Sequence, residues 1–160
     1  MQQANRVLWA LLFTVMLVGC NRMGVGYYSD DGQTLPPPAG EGLVAMPSAA
    51  IPDVPQPIGF VLVKSQSKAS VANGVRTVSH VYQGRASMAD AVAYYRRELN
   101  KAGWKLQNEE LLAGATEMYA TKQGEQVTAS LSDRKGILTV RVAIWSGMSP
   151  GNSLAPPTVP

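Results

Sequence analysis

The chain reads as an α+β domain of two layers, an antiparallel sheet with one helix packed across it, in the order β-β-α-β-β-β-β. Three observations point there. Apolar residues recur at helical spacing in one segment only, at Met88, Ala91, Val92, Tyr95, Leu99 and Ala102. Two later runs alternate apolar and polar, through Val127, Ala129 and Leu131 and through Leu138, Val140, Val142 and Ile144. Such alternation is the mark of a sheet buried on one face. The runs are joined by short glycine-bearing connections of hairpin length.

The elements follow in order. Gly59 to Lys64 (GFVLVK) is a short β-rich run, and Val75 to Gln83 is a second, entered through the Asn73-Gly74 turn signal. The helix comes next. Ser87 is placed to cap its first turn, with Asp90 three residues on in a capping-box pattern. Gly103 stands where a left-handed C-terminal cap belongs. Arg97, Asn100 and Lys101 fall on the opposite side, and the Arg96, Arg97, Lys101 cluster reads as a solvated face. Trp104 to Gln107 then follows directly. Thr116 to Lys122 runs into a turn at Gly124, Gln126 to Ser132 comes after it, and Ile137 to Trp145 follows a turn at Asp133 to Gly136. These elements place the domain at residues 58–145.

Either side of it the composition changes. Residues 20–57 carry Pro36, Pro37, Pro38, Pro47, Pro52, Pro55 and Pro57 with glycines between them. Proline removes ladder donors and glycine adds backbone entropy, so this stretch reads as a disordered linker. Residues 146–160 (SGMSPGNSLAPPTVP) have the same character and read as a disordered tail.

At the N-terminus, Met1 to Arg6 is polar with one positive charge, and Val7 to Val18 is an uncharged apolar run. That run is shorter than the roughly 20 residues of a spanning helix. A charged start, a short apolar core and small residues before a cleavage point form a secretory signal, here residues 1–19. The apolar run ends in Leu17-Val18-Gly19-Cys20, and Cys20 is the chain's one cysteine. This tetrad resembles the lipobox of bacterial lipoproteins. The resemblance implies signal-peptidase recognition through Leu17, Val18 and Gly19, cleavage after Gly19, a diacylglycerol thioether on Cys20 and an N-acyl chain on its new amino group. It implies a membrane partner through that anchor. Asn21 in the following place, where Asp favours inner-membrane retention in enterobacterial lipoproteins, implies the periplasmic face of the outer membrane in a two-membrane cell. Two or more acyl chains are what stable anchoring requires. Lipidation also accounts for a lone thiol in an exported chain, since no internal disulfide is available.

A second resemblance lies in the domain. Tyr94-Tyr95, Leu99 and Gly103-Trp104 form a Y-Y-x(3)-L-x(3)-G-W pattern. It is similar to one in small exported bacterial helix-on-sheet domains, and the layout is similar to lipoprotein subunits of the outer-membrane β-barrel assembly machine.

Few residues carry chemistry. The formal charge of +3 is too small and scattered for nucleic acid. His80 is the one histidine and sits within the second strand, so no His/Cys metal set exists. Asp30-Asp31-Gly32-Gln33 starts like a calcium loop and lacks the later ligands. Glu109 and Glu110 are adjacent on a strand and point to opposite faces. No nucleophile elbow, phosphate loop or zinc-protease motif is present. The strand aromatics Tyr82, Tyr119 and Trp145 either fill the core or line an exposed face that takes a peptide, glycan or partner strand. The expectation is a non-catalytic binding or scaffold domain on a lipid anchor, its partner an envelope protein or the cell wall, with no cofactor beyond the acyl chains on Cys20. Two alternatives stand beside it: a cell-wall or lipid-acting enzyme using His80, and an accessory of the outer-membrane assembly machinery.

Overall fold

Ser87 caps the helix as its position implies. Its Oγ accepts a hydrogen bond from the Asp90 backbone N–H at 3.0 Å, and helix α1 runs Met88–Lys101. Gly103, at φ +87°, turns the chain out of it, a conformation open to glycine without a Cβ penalty. Of the helix, Ala91, Tyr94, Tyr95 and Leu99 are buried. The computed structural model describes residues 26–38 and 42–146. The signal segment 1–19, Leu17, Val18, Gly19 and Cys20, and the tail 147–160 lie outside the described residues.

Seven strands form one antiparallel sheet: β1 (Val61–Leu62), β2 (Lys68–Ala72), β3 (Val75–Gly84), β4 (Lys105–Leu112), β5 (Ala115–Lys122), β6 (Glu125–Arg134) and β7 (Ile137–Ser146). The lateral order is β1-β3-β7-β6-β5-β4, with β2 on the same edge of β3 as β1. A 3-10 turn at Lys64–Gln66 separates those two short strands. The helix therefore carries the chain from β3 across the sheet to β4 at the far edge, and β4 to β7 return as a meander. Four two-residue turns drive the hairpins. Asn73-Gly74, Ala113-Gly114, Gln123-Gly124 and Lys135-Gly136 each place both residues at positive φ. That is the backbone of a type I′ turn, whose twist matches that of the flanking strands.

The coarse expectation, one helix across an antiparallel sheet, agrees with the structure. Three finer points differ. The run Gly59 to Lys64 forms only a two-residue strand. Strand β2 was not foreseen, because every one of its residues is exposed and no buried face stamps a period on the sequence. The third difference is the reading of residues 20–57 as a disordered linker, which fails for the part that is described. Leu43, Ile51 and Val54 belong to the main core with Phe60. The prolines deny this segment a ladder, and its backbone is met by other partners. Met46 and Ile58 N–H groups donate to Gln56 and Val44 carbonyls at 2.7 and 2.8 Å, the Trp104 indole N–H donates to Asp53 O at 2.7 Å, and Arg97 donates to Leu43 O at 3.1 Å.

Candidate functional site

Alternation gives the sheet two unlike faces. The inner face, toward α1, holds Met118, Ala120, Val127, Ala129, Leu131, Leu138, Val140, Val142 and Ile144, all buried. Tyr82, Tyr94, Tyr95, Leu99 and Trp104 fill the space between the layers. The ring edge of Tyr94 meets Tyr95 at a centroid distance of 5.1 Å. Both hydroxyls are buried and lack a hydrogen-bond partner among the described residues. Burial raises both phenol pKa values, that of Tyr95 far above its ordinary range.

His80 lies on this inner face opposite Val142, and its Nδ1 sits 2.9 Å from the Tyr82 hydroxyl. Burial lowers the His80 pKa and pushes the Tyr82 phenol up to about 12, so both stay neutral at ordinary pH. No carboxylate or nucleophile contacts the imidazole among the described residues; Tyr82 is its hydrogen-bond partner. General acid–base work needs a group at the proton it moves, and this pair faces packed core.

The outer face is different in kind. Adjacent strands set Asn108 beside Tyr119, Tyr119 beside Thr128, Thr128 beside Ala143 and Ala143 beside Ser79. The neighbouring row runs Glu110, Glu117, Ser130, Arg141 and Val81, and Gln126 pairs with Trp145 beyond. Over β5, β6 and β7 these residues are mostly half-buried and polar. Tyr119 donates its hydroxyl hydrogen to Glu117, and that hydrogen bond pushes the phenol up to about 12. Thr128 Oγ1 is buried at the centre of the face with no partner. The expectation for the strand aromatics thus divides, with Tyr82 in the core and Tyr119 and Trp145 on the outer face.

The β3 end of that face is covered. Residues 26–38 turn over it, closed by Ser29 N–H to Gln33 O at 2.8 Å. The Asp30 N–H donates to Gln83 Oε1 at 2.8 Å, Gln66 donates to Asp30 at 2.6 Å, and Ser65 bonds Asp31. The guanidinium of Arg85 stands 3.9 Å over the Tyr27 ring. Leu35, Val63 and Val81 are buried outside the main core cluster. The Asp30-Asp31 start of a calcium-like loop is thus spent on internal hydrogen bonds. Among the described residues no group of three or more His, Cys, Asp or Glu side chains is placed to hold a metal.

The basic helix cluster is paired as well. Arg96 forks onto Glu109 at 2.6 and 2.7 Å, and Arg97 and Lys101 both reach Glu98. These contacts hold the Glu109 and Glu98 carboxyls below their usual range, led by Arg96 for the first and by Lys101 for the second. Glu109 and Glu110 do point to opposite faces, Glu109 toward α1 and Glu110 beside Glu117. A second ion cluster ties the N-terminal segment to the sheet. Arg76 holds Asp53 through both nitrogens at 2.7 Å and Glu125 at 2.5 and 2.7 Å, and Lys122 stands 3.4 Å from Asp53.

The sequence reading missed Thr128, Arg141 and Glu117, whose places in two neighbouring rows are set by strand register. Register is readable only once the turns are fixed. No curated protein and no solved structure matches the chain. A family model does, over residues 62–144, from the end of β1 to two residues short of the end of β7 and just over half of the sequence. The chain belongs to the START domain-like family.

Proposed function

We propose that the protein is a bacterial envelope lipoprotein, anchored through acyl chains on Cys20, whose START-like domain binds an envelope component without catalysing its conversion. START-like domains are typically non-catalytic ligand-binding domains. The observation that carries the binding surface is the outer face of β5 to β7. It offers the half-buried Tyr119 and Trp145 and the exposed Arg141 on neighbouring strands. Tethering raises the local concentration of the domain toward other residents of the same membrane.

The anchor is tested by intact mass and flotation of the protein made in a Gram-negative host, beside Cys20→Ala. Loss of residues 1–19 and gain of acyl mass in the wild type alone supports it. Soluble, unlipidated protein in both sinks it. The surface is tested by capture of envelope fractions, where Tyr119→Ser with Trp145→Ser abolishes binding and His80→Gln leaves it intact. Loss of function on His80→Gln at unchanged stability would instead favour an enzyme.

A second reading rests on the orphaned hydroxyls of Tyr94 and Tyr95. It places the ligand between helix and sheet, where those groups would find partners. Binding lost in the Tyr94→Phe, Tyr95→Phe double variant, and kept in the outer-face variant, selects it.

A further inference from the structure

The two edges of the sheet are unequally protected. Edge β4 carries a bulge between Leu106 and Asn108 and the adjacent charges Glu109 and Glu110. Bulges and charges are the devices that stop an edge from pairing with another chain. Edge β2 has no bulge, and its one charge, Lys68, stands at its end. Its five residues, Lys68-Ala69-Ser70-Val71-Ala72, pair with β3 in unbroken register and are all exposed, Val71 to 75%. A β-branched residue so exposed on an edge, with one charge at the strand's end and no proline, leaves a row of backbone donors and acceptors free on that side.

We propose that β2 pairs antiparallel with β2 of a second copy of this chain. A two-fold axis through Ser70 sets Ser70 against its own copy, Ala69 against Val71 and Lys68 against Ala72. No like charges meet, and the two Ala69–Val71 pairs each join a small to a β-branched side chain on one face. On β4 the bulge between Leu106 and Asn108 breaks the alternation that such an axis needs, and Glu109 and Glu110 put charge near the strand's centre. Complementarity to itself therefore belongs to β2 alone of the two edges. Because opposed residues of an antiparallel pair share a face, the axis stands normal to the sheet. Both helices lie on one side, and the two outer faces join as one surface of double width. Five residues a side is far below the roughly 20–30 of a stable interface, so the pair is weak in dilute solution and forms where copies are concentrated. Concentration on a membrane rests on the anchor proposed above; the pairing itself does not.

The test removes the anchor. In the full chain carrying Cys20→Ser, Ser70→Cys places two thiols across the axis at a Cα separation of about 4.5–5.5 Å, inside the range a disulfide spans. Lys68→Cys places them about 13 Å apart along the paired strands. Under mild oxidation, the position-70 thiol is expected to cross-link about tenfold faster or more than the position-68 thiol, the gain of an intramolecular over a random encounter. Adding Val71→Glu, which faces Arg76 across the β2–β3 ladder within the monomer and sets two like charges on one face of the pair, is expected to abolish that advantage while thermal melting does not fall. Equal rates at positions 68 and 70, or a position-70 rate indifferent to Val71→Glu, overturn the proposal.

Discussion

The inner and outer faces of this sheet are made by the same strands, residue by residue in alternation, and they answer to different physics. The inner face and the helix over it are buried, with Met118 and Tyr95 at 0% exposure. The outer face is half-buried, hydroxyl-rich and carries its aromatics singly. Burial explains every residue on the inner face except two phenol oxygens. On the outer face burial explains only the patch under residues 26–38, and the rest is surface without a structural employer. Stability belongs to the inner side, and the outer side is the one proposed above for recognition, which makes the contrast testable by substitution.

The largest effect is expected at Trp104→Ala. It removes a large buried ring and the donor to Asp53 O, and should cost about 3–5 kcal/mol in urea unfolding. A much smaller loss would mean that the N-terminal segment is not docked on this ring. Next comes Arg76→Ala, which strips two carboxylates of their partner. These groups are partly exposed, so about 1 kcal/mol is expected. The hydrogen bond from Arg76 holds the Asp53 carboxyl below its ordinary range. The lowered folded value means that this stabilisation is present above the unfolded pKa near 4 and is lost as pH falls through the folded one. Wild type should therefore lose stability in acid more steeply than Asp53→Asn, as read by melting temperature from pH 5 down to pH 2.

Tyr95→Phe sharpens the contrast from within the buried side. Deleting an unpartnered buried hydroxyl is expected to leave stability unchanged or raise it by up to about 1 kcal/mol. A clear loss would show that the hydroxyl has a partner in solution. The smallest stability change is expected at Tyr119→Ser, within about 0.5 kcal/mol as for other surface substitutions, with its effect concentrated in binding. Destabilisation there by as much as at Trp104 would erase the distinction between the faces.

How far the sequence reveals this depends on whether a feature is stamped by burial. Helix α1 announces itself through Ala91, Tyr95 and Leu99 at helical spacing, between Ser87 and Gly103. Strands β6 and β7 do so through unbroken alternation. Strand β2 buries nothing, and therefore has no period to read. Residues 42–57 look like a linker because proline spacing masks their three core contributors, Leu43, Ile51 and Val54, which lie too far apart to show a pattern. The candidate site suffers most. Tyr119, Thr128 and Arg141 are distant in sequence and share a face only through the registers of two hairpins. His80, the residue that sequence reasoning weighed as a catalyst, is a core neighbour of Tyr82.

The lateral order of the sheet also has a consequence in time. The meander from β4 to β7 closes through three successive tight turns, contacts that a chain reaches quickly because little loop entropy is lost. Strand β3 waits. Its inward neighbour is β7, the last strand of the domain, while β3 itself precedes the helix. A chain that emerges N-terminus first thus presents β3, with Val78, His80 and Tyr82, before the surface that covers them exists. Until the final hairpin arrives, that strand lacks the neighbour that covers it within the domain.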